Sequence, residues 1–339
     1  MNTSFHKSWR GLLTLLPMFA WYISVQAEEV GGMRLTTFFA EARLSAMGQW
    51  DDGVKNHDAS GIKGEYLNLR LDGQLMHGLT FSYRQRLNKN SDRTYWDATD
   101  WLHLDWQATE RWSIGAGKQV VAIGGYEYDR APIDLYYCSA FWNNIPCYQL
   151  GASVTYALTS HDALLLQACN SPFRSHAGND TYAWNLLWSG QHGRWATLWS
   201  VNMMEWMPGH WINYVALGND IRLSPNVNLN LDLMNRATSA HAFLGRDCSV
   251  MAELNWRPSS AWRLYTKYTY DVNRTGAEGD WCVADGTEMH AMSLGCEAMP
   301  VSKLRDAIRL FGGLCYVWDD QLQVMVGMKL KVDFLKMKL

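Results

Sequence analysis

The sequence predicts an all-β fold. It is a single transmembrane, outer-membrane antiparallel β-barrel of about 16 strands, with short periplasmic turns and longer outer loops. Three observations in the 339 residues predict it. Apolar and polar side chains alternate with period two along most of the chain. The connections between these stretches alternate short and long. Tryptophans flank the short connections.

A side-chain period of two means extended strands with two unlike faces. In chain order the segments are 33–47, 65–76, 79–88, 96–107, 111–121, 148–158, 163–170, 181–189, 194–205, 211–223, 227–236, 247–256, 262–271, 289–298, 307–317 and 322–334. In the second, Leu67, Leu69 and Leu71 alternate with Asn68, Arg70 and Asp72. In the eleventh, Val227, Leu229, Leu231 and Leu233 alternate with Asn228, Asn230, Asp232 and Met234. In the last, Leu322, Val324, Val326, Met328, Leu330, Val332 and Phe334 share one parity, and Lys329 and Lys331 take the other. That strand is expected to close the barrel against the first. Most segments have the length of a tilted strand crossing a bilayer, about 9–11 residues.

The short connections are His77-Gly78, 108–110, 159–162, 190–193, 224–226 and 257–261, rich in turn-forming residues. Longer ones lie near 48–64, 122–147, 171–180, 237–246 and 272–288, with modest ones near 89–95 and 206–210 and a very short one near 318–321. Trp106 and Trp112, Trp188 and Trp195, and Trp256 and Trp262 each bracket a short turn, the place of a periplasmic aromatic girdle. A soluble sandwich would point its greasy faces inward and has no need of these regularities. A lipid environment admits only helices and closed barrels, because every backbone donor must be paired. Sixteen strands enclose a lumen wide enough for water.

Residues 1–27 read as a cleaved signal peptide: Lys7 and Arg10, an apolar run from Gly11 to Ile23, then Val25 and Ala27 before the cut. The barrel domain is then 28–339. Cleavage removes two of the 30 Lys+Arg and none of the 33 Asp+Glu, moving the net charge from −3 to −5. With no basic bias, nucleic acid is excluded as a partner. Export permits disulfides, and Cys138 with Cys147, close together in one loop, is the candidate pair among seven cysteines. No CxxC is present, and neither a metal site nor a cofactor is indicated.

With the polar parity taken inward, the basic wall residues are Arg43, Arg70, Arg84, Arg86, Arg222, Arg236, Arg263, Lys267, Arg309, Lys329 and Lys331. The acidic ones are Glu41, Asp72, Asp105, Asp220, Asp232, Glu253, Asp271, Glu297 and Asp333. Near-balance of this kind means charges that pair across strands, or a patterned field that biases ion passage. The longest connection, 121–147, is expected to fold into the lumen and to place Glu127, Asp129, Arg130 and Asp134 at a constriction. No arrangement of nucleophile, base and orienter can be nominated, and the sequence predicts no enzyme. "GAGKQ" at 115–119 lacks the upstream Gly and the Ser or Thr after Lys118 that a phosphate loop needs.

The stretches "WSIGAGKQVVAIGGYEYDRAPIDLYY" and "LLLQACNSPF" resemble the phosphate-selective porin O and P family in its Bacteroidetes branch. The resemblance covers most of the mature chain as a diffuse pattern, with two or three local matches. It implies a homotrimer of 16-stranded barrels in a Gram-negative outer membrane, an inward third loop, and a pore for anions such as phosphate. The final strand is similar to the C-terminal recognition strand of outer-membrane proteins. Phe334 supplies the terminal aromatic, although "LKMKL" follows it. The near-balance of wall charge departs from a phosphate-specific pore, which needs dense Lys and Arg. The expected function is therefore a porin in contact with outer-membrane lipids, passing small solutes or ions with at most a mild anion preference. The alternatives are a non-conducting barrel acting as an enzyme or surface adhesin, and a soluble exported β-protein.

Overall fold

The computed structural model describes residues 33–88, 94–173, 180–238, 245–276, 278–301, 307–318 and 320–336. The expected signal peptide and the last three residues lie outside them.

Seventeen strands are described. They are β1 (Arg34–Asp51), β2 (Val54–Lys55), β3 (Gly61–Met76), β4 (Leu79–Arg86), β5 (Thr99–Gln107), β6 (Trp112–Val120), β7 (Tyr148–Ala157), β8 (Asp162–Asn170), β9 (Tyr182–His192), β10 (Trp195–Met207), β11 (His210–Ser224), β12 (Val227–Thr238), β13 (Asp247–Ser259), β14 (Trp262–Asn273), β15 (Glu288–Ala298), β16 (Ile308–Val317) and β17 (Gln321–Asp333). β2 is a two-residue extension beside β1, so the wall is a barrel of sixteen long strands. Each pairs antiparallel with its neighbours, and β17 returns to β1 from Phe39↔Asp333 to Asp51↔Gln321. Closure leaves the sheet no open edge, as lipid requires.

The outward face is the apolar one. Leu322, Val324, Val326, Met328 and Val332 on β17 all point away from the lumen and are exposed. Lys329 on the other parity is buried. Trp106, Trp112, Trp195, Trp256 and Trp262 stand exposed at the short-turn end, where their amphipathic rings suit the headgroup boundary.

One local departure has a clear cause. The segment expected to begin at 96 starts as the helix α1 (Tyr95–Ala98), because Thr94 and Asp97 form a reciprocal capping box; strand begins at Thr99. On β6, Lys118 keeps the outward parity of Trp112 and Ile114, in unbroken register with β5 and β7. Lys118 pairs with the outward-facing Leu102 and Leu150, donates to the Trp96 carbonyl at 2.7 Å, and lies under the Trp96 ring. It belongs to a strand covered by α1, and no phosphate loop exists there.

The barrel also holds a hydrophobic core of its own. Val121, Ile123, Tyr128, Phe141 and Ile145 pack against inward-facing Cys169, Ala183, Met204, Ile212, Tyr214, Ala216 and Met234, with Cys282 and Val283 above. At the outer ends of β8–β12 the inward face is thus partly apolar, interleaved with buried Gln167, Asn185, Asn202 and Arg236.

Candidate functional site

Residues 121–147 contain two short helices, α2 (Tyr126–Asp129) and α3 (Ala140–Asn144), with a 3-10 turn at Pro132–Asp134 between them. The segment starts on the β10–β11 wall through glycines. Gly124 N–H donates to Ser200 Oγ at 2.8 Å and Gly125 N–H to the Leu198 carbonyl at 3.1 Å. Gly125 has φ 104, a conformation suited to glycine, and a Cβ on Gly218 would sit 2.6 Å from Gly125 Cα. Here backbone lies directly on backbone, which is the physical use of the "GG" in this stretch.

From there the segment is tied to strand after strand. The N–H groups of Tyr126 and Glu127 donate to the Asp232 carboxylate at 2.9 and 2.7 Å. Glu127 pairs with Lys267 and accepts from the backbone N–H of Ser139 at 3.1 Å. Arg130 donates to both Glu253 oxygens at 2.7 and 2.9 Å and to Asn230 at 3.1 Å. Asp134 meets Lys329 at 2.8 Å and Arg309 at 3.0 Å. Tyr136 OH donates to Glu297 at 2.8 Å, and the Ala140 N–H to Asp271 at 2.8 Å. Arg43, paired with Glu65, donates Nη1 to the Leu135 and Ile133 carbonyls at 2.6 and 3.2 Å. The contacts run over β10, β12–β17 and β1, so the segment crosses the barrel interior.

These partners set the titration of its acids. Burial would raise Asp134, but Lys329 and Arg309 outweigh it and hold the carboxyl below the usual 3.8. Asp129 has no ion pair among the described residues, and burial raises its carboxyl.

The wall cations are mostly spoken for. Arg70 meets Asp72 at 2.8 Å, and Arg84 and Arg86 share Asp100 at 3.1 and 2.9 Å. Arg236 is sealed against Asp280 at 2.6 Å beneath the β14–β15 connection, away from any open lumen. Arg263 lies 3.6 Å from both Glu253 and Glu297. Of the eleven basic residues nominated from sequence, nine are in ion pairs; among the described residues Arg222 is in none and Lys331 instead covers the Phe39 ring at 3.9 Å. The balance of charge therefore reflects pairing, and the residual field comes from the exceptions.

The exceptions gather at one end. A chamber of about 540 Å³ on the short-turn side of the segment is lined by Arg130, Arg194, Arg222, Arg257, Arg263 and Arg309, against three acids, Asp129, Asp134 and Asp220. Arg194, Arg222 and Arg257 have no ion pair among the described residues. Arg194 and Arg257 were not nominated from sequence: Arg194 opens its expected segment and Arg257 falls in an expected turn, although β13 runs on to Ser259. Their positions at strand ends beside the short turns were the available signal.

The cysteine pair is corrected. Cys138 and Cys147 are both free thiols. Helix α3, capped by Ser139, separates them. Cys147 packs toward the cluster around Phe141 and Cys282, whereas Cys138 lines a different cavity. Burial pushes Cys138 up to about 12 and Cys147 up to about 11. Both thiols should therefore resist alkylation at pH 7.5 in the folded barrel, and both should label fully after denaturation without reductant. Mass spectrometry showing either one blocked before reduction would contradict the free assignment.

A model of the family "Phosphate-selective porin O and P" matches residues 45–205. A search of the curated proteins finds no match. Among solved structures, the anion-selective porin from Comamonas acidovorans superposes with a TM-score of 0.62 at 11% identity, covering 88% of this chain and 100% of that one. Two mutants of Rh. blastica porin do so at TM-scores of 0.53 and 0.54, each at 12% identity with the same coverage. At such identities these likenesses speak to fold, and the fold points to an outer membrane. The chain is a closed β-barrel with a porin fold, and over residues 45–205 it carries the sequence pattern of the phosphate-selective porin O and P family.

Proposed function

We propose that the chain is exported by its leader, assembles as a homotrimer in the outer membrane of a Gram-negative bacterium, and forms a water-filled channel for passive diffusion of small solutes and ions with a mild anion preference. The observation that carries the preference is the inner chamber, where six arginines face three aspartates and three of the arginines have no ion pair among the described residues. Fixed wall charge of one sign concentrates the opposite ion in a confined aqueous space. The first of the structural relatives is itself described as anion-selective. The segment 121–147 acts as the constriction, and phosphate specificity is left out because nine wall cations are already neutralised. No enzymatic role is assigned.

A tenfold KCl gradient across a planar bilayer tests the reading. The expected reversal potential has the sign of chloride permeation. A cation-selective pore would remove the anion preference. The competing reading is a non-conducting barrel, favoured by the segment that crosses the interior, and a silent bilayer would establish it.

A further inference from the structure

The segment leaves a second chamber, on the long-loop side, of a different character. About 520 Å³ in volume, it is lined by Tyr66, Tyr136, Tyr137, Trp142, Met289 and Met325 among others. Among the described residues its only charged lining residues are Arg43 and Glu65, which pair with each other. We infer that this outer chamber is a binding subsite for a small aromatic carboxylate, taken up before it passes to the arginine-rich chamber below. The inference rests on the proposed channel.

Three observations support that chemistry. A hydrated inorganic ion meets no net charge here and gains little from rings and thioethers, whereas an aromatic ring gains apolar burial and edge or face contacts. Two donors are also unspent. The indole N–H of Trp142 is shielded from solvent and has no acceptor among the described residues. Arg43 uses Nε on Glu65 and Nη1 on segment carbonyls, leaving Nη2 without a hydrogen bond among the described residues. A carboxylate supplies acceptors for both, one of them charge-assisted. Finally, Tyr137 holds φ 50, a left-handed conformation that a bulky residue rarely adopts and that tends to persist where a site requires it. The volume lies in the ordinary range for small-molecule sites, about 300–1,000 Å³.

The test compares current block by benzoate, acetate and phosphate added on the loop side of bilayers containing the mature chain. Half-block by benzoate is expected at a concentration about tenfold lower than for acetate or phosphate. In Trp142→Ala the benzoate-to-acetate ratio should collapse to about one. Equal potency of benzoate and acetate in the wild type, or a ratio unchanged in the variant, would overturn the subsite. If the barrel carries no current, the channel reading fails on its own. Calorimetric titration of benzoate into detergent-solubilised protein then decides the subsite, with binding weakened about tenfold by Trp142→Ala as the expected result and no binding heat as the refutation. Should Trp142→Ala not fold, Trp142→Phe keeps a ring and loses the donor. A threefold or greater loss of benzoate potency is expected from it, and no loss would remove the donor from the site.

Discussion

Lys267→Met should release the inward segment while leaving the barrel closed. Lys267 and Glu127 are both almost fully buried, and they are each other's main charged partner. Lys267 also donates to the Tyr137 carbonyl at 3.1 Å, so one side chain holds both helical ends of the segment's middle. Removing one member of a buried pair strands the other charge in a poorly solvating place, at a cost of about 3–5 kcal/mol. Strands β13–β15 retain their ladder hydrogen bonds, so heat-modifiable gel migration should persist. What should change is protease access to residues 126–145 and single-channel conductance, both of which should rise. The double variant Glu127→Met with Lys267→Met should recover most of the loss, because two apolar groups of similar size leave no uncompensated charge. If Lys267→Met alters neither proteolysis nor conductance, the pair does not hold the segment in place.

Replacing Arg194, Arg222 and Arg257 together with Gln should abolish the anion preference without loosening the segment. None of the three is ion-paired among the described residues, so no buried acid is stranded when they go. A unit charge about 8 Å from a permeating ion in water contributes about 0.5 kcal/mol, and three contribute about 1.5 kcal/mol, near tenfold in relative permeability. The effect should be largest near 10 mM salt and fade toward 1 M, where screening acts over about 3 Å. The same substitution at Arg309 should behave differently. Arg309 pairs with Asp134, so its loss weakens an anchor of the segment as well as the field. A triple variant that keeps the wild-type reversal potential would move the source of selectivity elsewhere.

How far each of these features could be read from sequence follows from how local its cause is. Alternation in "LQVMVGMKLKVDF" is a property of neighbours along the chain, and it places Lys329 inward without any knowledge of the fold. The Trp256 and Trp262 bracket is equally local. Parity failed where a partner from far away intervened. Met234 sits on the polar parity of β12 yet is buried apolar, because Phe141 and Cys282 arrive from two separate connections.

The sequence by itself determined the strand pattern, the lipid-facing side and the inventory of wall charge, since backbone periodicity and composition decide all three. Only the tertiary structure decided which charges are free. Arg43 and Arg222 are alike in the sequence, both inward arginines on polar faces. One lies across from Glu65 and under the carbonyls of a segment ninety residues away; the other is in no ion pair among the described residues. Coulombic pairing depends on distance in space, and closing sixteen strands into a ring brings together residues that no local pattern relates.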